Sequence, residues 1–150
     1  MTFSQTCTIP VPRERLWDFL MDVPRVSRCL PGVETVQPLE GDSYQGLFRV
    51  KLGPISIGLE GKVTIEEQSR EAWRAALRAD ATDRKLGGGM RARARMRLAP
   101  AGEGATTLTV ETELTVLGKI GEFGQPVIKK KADALLQEFA ANIQRALAGR

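Results

Sequence analysis

Histidine is absent from this sequence, and cysteine occurs only twice, at Cys7 and Cys29. The missing imidazole excludes the Ser–His and Cys–His dyads and triads, which need it as general base. Without histidine or a CxxC pair, a tetrahedral zinc site lacks a ligand set. Two cysteines make a poor disulfide framework. No stretch approaches the roughly 18 uncharged apolar residues of a membrane span. The opening TFSQTCTIP alternates like a strand and has no basic-then-apolar secretory pattern. The resulting expectation is a cytoplasmic protein. Aromatics make up only 5% of the chain.

Hydrophobic residues at 42% and charged residues at 27% are those of an ordinary globular chain. The length of 150 residues suits one domain over 1–150. A net charge of +4 permits contact with anionic lipid or an acidic partner without requiring either.

Residues 2–9 alternate, which predicts a strand burying Phe3, Cys7 and Ile9. Pro10 and Pro12 end it, and Pro12 suits the first turn of a helix. RERLWDFLM follows with the apolar stripe Leu16, Trp17, Leu20 and Met21. Pro24 breaks that helix, and a second short one over about 24–30 carries Val26, Cys29 and Leu30. Pro31-Gly32 stops it, since the residue before proline avoids helical geometry and glycine tolerates the turn.

After Gly32 the period changes to two. Strands are expected at about 33–39, 43–52, 55–67, 71–82, 90–99 and 105–117. The short breaks between them imply consecutive antiparallel neighbours. A long helix over about 120–147 closes the chain, and Pro126 either kinks its first turns or marks its true start. The fold class is α+β. A strongly curved antiparallel sheet of about seven strands, wrapped around the C-terminal helix, buries all these faces at once.

The inward strand faces carry the most functional information. Many of their positions are small: Gly46, Gly61, Ala75, Ala79, Ala81, Ala92 and Ala94. Interiors pack to crystal density, so small residues facing a helix mean close approach or a cavity. They span several adjacent strands, more than one helix contact needs, which favours the cavity. The expected lining is Phe48, Val50, Leu59, Gly61, Val63, Trp73, Ala75, Leu77, Ala79, Ala92, Ala94, Met96 and Val110 from the strands, with Phe123, Val127 and Leu135 from the helix. Leu86, Gly87, Gly88, Gly89 and Ile120 are expected at its mouth. The lining has almost no ionisable groups, so the expected guest is an apolar small molecule.

Arg91, Arg93, Arg95 and Arg97 alternate on one strand and therefore occupy its solvent face, with Glu111 and Glu113 as cross-strand partners. No aromatics interleave to stack on bases, so nucleic acid is not an expected partner. Arg84, Lys85, Lys119, Lys129, Lys130 and Lys131 form a basic rim if their segments meet at one end. Such a rim suits an anionic membrane surface or an acidic protein.

The segments IPVPRERLWDFLMD, CLPGVETV, GDSYQGLFRVKLGPISIGLEGKVTI and DRKLGGGMRARA together resemble the carbon monoxide dehydrogenase G-subunit family. That family belongs to the START-like, pollen-allergen-like helix-grip superfamily (SRPBCC). Cys29-Leu30-Pro31-Gly32 matches the family's corner, Gly53-Pro54-Ile55 its hairpin, and Gly87-Gly88-Gly89 its glycine-rich loop near the cavity mouth. The resemblance implies a sheet gripping a helix over an apolar cavity. It also implies association with molybdenum hydroxylases of the carbon monoxide dehydrogenase type, membrane attachment of such enzymes, and quinone binding. It supplies no catalytic set. Some relatives continue past the long helix with a membrane-directed tail. With this sequence running to Arg150, the expectation is transient docking at the inner face of the membrane through the basic rim.

Three functions follow. The leading one is a non-catalytic carrier of a quinone or lipid-like ligand, with no covalently bound cofactor. The second is a cyclase-like or hydrolase-like enzyme on the same fold, with Tyr44, Glu60, Asp80 or Asp83 as acid or base. Alternation places Glu60 and Asp80 on the outer face. The third is an assembly module with a collapsed cavity. Cys29 reads as a small buried hydrophobe rather than a reactive thiolate.

Overall fold

The computed structural model describes residues 1–83 and 85–148. Strand β1 (Thr2–Ile9) is followed by helices α1 (Arg13–Leu20) and α2 (Val23–Ser27). Six strands come next: β2 (Val33–Pro38), β3 (Ser43–Leu52), β4 (Ile55–Ser69), β5 (Arg74–Asp83), β6 (Gly88–Pro100) and β7 (Thr106–Gly118). A 3-10 turn (Lys119–Phe123) leads into α3 (Gln125–Ala148). The seven strands form one antiparallel sheet in the order β1-β7-β6-β5-β4-β3-β2. This is the α+β sheet-and-helix arrangement expected from the periodicity. Register shifts at Val33/Thr35 and Ile65/Glu67 each add an unpaired residue, which bends the sheet.

Three boundaries depart from the pattern. The expected helix over 120–147 is divided. Gly124 sits at φ +80° and ends the 3-10 turn, and Pro126, lacking an N–H, occupies the first turn of α3. The second short helix ends at Ser27, so Cys29 and Leu30 lie in the turn beyond it; Asp22 caps it, accepting from the Arg25 N–H at 3.3 Å. Strand β5 starts at Arg74 because residues 70–73 turn: the Trp73 N–H donates to the Arg70 carbonyl at 3.2 Å, and Trp73 has φ +57°.

The apolar faces are buried in unequal depth. Leu16, Trp17, Phe19 and Leu20 of α1 close one end of the sheet against Ile9, Leu98 and Leu108, with Ile143 and Leu147 from the end of α3. Leu52, Ile57, Leu59 and Ile120 form a smaller cluster at the opposite end. The backbone of α3 comes closest to β1, with a lesser approach to β3. It therefore grips the sheet along one edge and spans its middle.

The outer face is charged as expected, but its pairing differs. Register sets Arg93 opposite Glu113 and Arg95 opposite Glu111. The ion pairs run the other way: Arg91 to Asp80 at 3.5 Å, Arg93 to Glu66 at 3.7 Å and Arg78 to Glu66 at 3.5 Å. Among the described residues, Glu111 and Glu113 form none. In β5 and β6 the directly opposed pairs are Arg78 with Arg93 and Arg74 with Arg97, and like charges side by side favour reaching toward β4.

Candidate functional site

Between the sheet and α3 lies a hollow in two compartments of about 380 Å³ each. The first lies toward the β3–β4 hairpin. Its walls are Phe3, Phe48, Val50, Leu52, Ile57, Leu59, Met90, Ala92, Leu114 and Val116 from the sheet, Ile120 from the 3-10 turn, and Ile128, Ala132, Leu135 and Leu136 from α3. Only Gln5, Thr112 and Lys131 are polar. The second lies under α1 and α2. It is walled by Leu20, Met21, Val23, Val26, Val33, Val36, Val63, Ile65, Ala75, Leu77, Ala94, Met96 and Leu108, with Ser27, Asp42, Tyr44, Gln45 and Gln68 as its polar members. Leu30, Val110 and Phe139 line both compartments and form the waist between them.

Of the expected lining, Phe48, Val50, Leu59, Ala92 and Leu135 fall in the first compartment. Val63, Ala75, Leu77, Ala94 and Met96 fall in the second, and Val110 in both. Five do not line either. A Cβ on Gly61 would lie 2.0 Å from the Asp80 carbonyl oxygen, so its smallness serves the close approach of β4 and β5, not the cavity. Trp73 belongs to the solid end, under the Arg13 guanidinium at 4.1 Å and edge-on to Trp17 at 5.9 Å. Ala79 sits between Val63 and Ala92 within the sheet. Phe123 packs in the 3-10 turn against the Ile120 and Leu114 clusters. Val127 is 41% exposed, because starting α3 at Gln125 turns Ile128 inward instead.

The expected mouth and rim also need correction. Gly88 and Gly89 are paired in β6, opposite Gly118 and Leu117. A Cβ on Gly88 would meet the Leu117 carbonyl at 2.4 Å, and one on Gly89 the Ala81 carbonyl at 2.5 Å. These glycines let backbones close over the end of the sheet. Gly87 is exposed in the turn, Leu86 packs in the Leu52 cluster, and Ile120 alone of the five lines the hollow. Arg84 lies outside the described residues. Lys85 and Lys119 do come to one pole, joined where the Lys119 N–H donates to the Gly87 carbonyl at 3.0 Å. Lys129 is held by Asp133 at 2.8 Å, Lys130 is exposed, and Lys131 lines the first compartment.

The candidate acids and thiols have structural roles or face away. Asp83 is buried and accepts from the Leu86 N–H at 2.9 Å, the Gly58 N–H at 2.8 Å and the Lys85 N–H at 2.8 Å. Those bonds, Leu86 first, hold its carboxyl below the usual range against the opposing effect of burial. Glu60 and Asp80 are exposed on the outer face. Tyr44 is half-buried and lines the second compartment.

Burial raises the Cys7 thiol, and raises Cys29 despite the lowering influence of Arg145 and Arg25. The CLPG corner is architecture. The Cys29 carbonyl accepts from Asn142 Nδ2 of α3 at 2.9 Å, and the carbonyl of Gly32, a residue at φ +96°, accepts from the Arg49 N–H at 2.8 Å.

Leu30, Phe139, Gln5, Thr112 and Lys131 are lining residues that the sequence pattern did not single out. Strict alternation along β1 and β7 carries the signal for Gln5 and Thr112, which follow Phe3 and Val110 on the inner face. The spacing Ile128, Lys131, Ala132, Leu135, Leu136, Phe139 carries it for α3.

Among the described residues, no helix is long and apolar enough to cross a membrane. Comparison with curated proteins finds no match. Several solved structures share the fold. A conserved protein from Geobacillus kaustophilus superposes with a TM-score of 0.90 at 19% identity, over 99% of this chain and 96% of that one. A START superfamily protein from Mycobacterium smegmatis gives 0.69 at 14% identity, over 99% and 97%. The Zhui aromatase/cyclase from Streptomyces sp. R1128 gives 0.61 at 17% identity, over 99% and 92%. The fold is therefore START-like. Residues 6–148 match the carbon monoxide dehydrogenase G-subunit (CoxG) family, and the chain belongs to that family.

Proposed function

We propose that this protein is a non-catalytic carrier that holds an apolar ligand, a quinone or an isoprenoid-like lipid, between its sheet and α3. It serves as an accessory to a molybdenum hydroxylase of the carbon monoxide dehydrogenase type. The family name supports the partner. The single observation that supports the carrier role is the paired hollow, walled almost wholly by apolar side chains. An unfilled apolar cavity lowers stability in proportion to its volume, so a guest that fills it is bound by the same free energy.

Membrane contact belongs to the same reading. Ile55 and Leu117 are exposed at 38% and 45%. They share the pole of the β3–β4 hairpin with the exposed Lys51, Lys85 and Lys119. Apolar tips among lysines suit an anionic lipid surface.

An enzyme reading has less support. Asp83 is engaged by three backbone N–H groups, and Glu60 and Asp80 face outward, which leaves Tyr44 of the four candidates in the hollow. Native mass spectrometry with lipid extraction, followed by titration with a quinone analogue, tests the carrier role. Co-purified or titrated apolar ligand at one per chain is expected. A protein that is always empty and binds neither quinone nor lipid analogues refutes it.

A further inference from the structure

The first compartment is apolar except at three residues, and these come from three different elements: Gln5 of β1, Thr112 of β7 and Lys131 of α3. They are not scattered. Register places Gln5 opposite Val110 and Phe3 opposite Thr112, so Gln5 and Thr112 are diagonal neighbours on one sheet face, about 7–8 Å apart. The Gln5 amide donates to Asp133 of α3 at 2.8 Å, which fixes the Lys131–Asp133 turn over this part of the sheet.

That bond leaves the Gln5 carbonyl oxygen as an acceptor. Asp133 is itself taken up by Lys129, at 2.8 and 2.9 Å. Among the described residues, no carboxylate lies within ion-pairing distance of Lys131. Lys131 is half-buried and lines the compartment.

We propose that this compartment takes an amphiphile with an anionic head, of the long-chain carboxylate class, whose head meets Lys131, Thr112 and Gln5 and whose chain lies along the apolar wall. The proposal rests on the carrier reading, a guest held between sheet and α3, and departs from it in giving that guest a charged head in place of a neutral quinone. A fully neutral guest would strip water from the Lys131 ammonium and return no partner, which is unfavourable. A carboxylate replaces that water with a charge-assisted hydrogen bond and accepts a second from the Thr112 hydroxyl.

The test uses the delipidated full chain, titrated calorimetrically at neutral pH with palmitate, palmityl alcohol and methyl palmitate. Palmitate is expected to bind about tenfold to a hundredfold more tightly than either neutral analogue. Lys131→Met, which keeps an apolar stem, should bring that ratio close to one, and Lys131→Arg should restore it. Equal affinities for the three ligands, or a preference that survives Lys131→Met, would overturn the head-group assignment while leaving the carrier reading intact. If none of the three binds and a quinone analogue does not bind either, the carrier reading falls and takes this inference with it.

Discussion

Replacing Ala92 or Ala94 with leucine separates a hollow protein from a filled one. Ala92 lines the first compartment and Ala94 the second, and both are half-buried. Each substitution adds three carbon atoms to the lining. If the space is real, burying them contributes about 2 kcal/mol, at about 0.8 kcal/mol per carbon. Fixing the leucine rotamer offsets about 0.5–1 kcal/mol of that. The net gain is about 1 kcal/mol, or a rise of about 2–4 °C in Tm for a chain of this size.

In a close-packed interior the same change would cost about 1–3 kcal/mol. Urea denaturation and calorimetry of the delipidated variants read the sign directly. Probe binding should fall in parallel, because the side chain occupies the guest's place. Gly61→Ala is the control: its methyl would lie 2.0 Å from the Asp80 carbonyl oxygen, so β4 and β5 must separate, at about 2–3 kcal/mol. Destabilisation of both alanine variants by more than about 1 kcal/mol, with probe binding unchanged, would refute the hollow and the carrier with it.

Gly32→Ala should lose about 2 kcal/mol or more in urea unfolding, since the residue has φ +96° and its Cβ would lie 2.2 Å from the Arg49 carbonyl oxygen. Asp83→Asn should cost about 2 kcal/mol by weakening the bonds to the Leu86, Gly58 and Lys85 N–H groups. Because the folded Asp83 carboxyl lies below its ordinary 3.8, its contribution is complete above that pH and is lost as pH falls through the folded value, so the variant should show a flatter acid limb in pH-dependent unfolding. Native Cys29 should react with a disulfide reagent more slowly than free cysteine at mildly alkaline pH, as burial raises its thiol, and full reactivity should return on unfolding. Lys119→Glu should weaken sedimentation with anionic vesicles by about fivefold or more, at about 1 kcal/mol per basic residue, and Leu117→Asp should weaken it further through lost apolar insertion.

The sheet was legible because its alternation is nearly unbroken: MRARARMRL states the two faces of β6 residue by residue. The division of the closing helix was less so. Apolar spacing continues from Ile120 through Phe123 to Val127, and only Gly124 and Pro126 mark the break. Small size was an ambiguous signal. Ala92 and Ala94 are small beside a void, whereas Gly61, Gly88 and Gly89 are small because a neighbouring backbone passes within 2.0–2.5 Å of where a Cβ would stand, and a sequence does not separate the two causes. Trp73 misled for a related reason. Its place on the inner-face period was right, but the turn before β5 delivers it to the solid end beside Trp17. Lys131 was read with its neighbours as one basic run, though consecutive helical positions point about 100° apart and only one of three faces the cavity.

The constriction at Leu30, Val110 and Phe139 makes this a vessel with two chambers and a neck. A guest short enough for one chamber leaves the other vacant, so two small molecules and one long one are distinct loadings of the same protein. For the proposed carrier, a guest long enough for both chambers must pass between those three side chains.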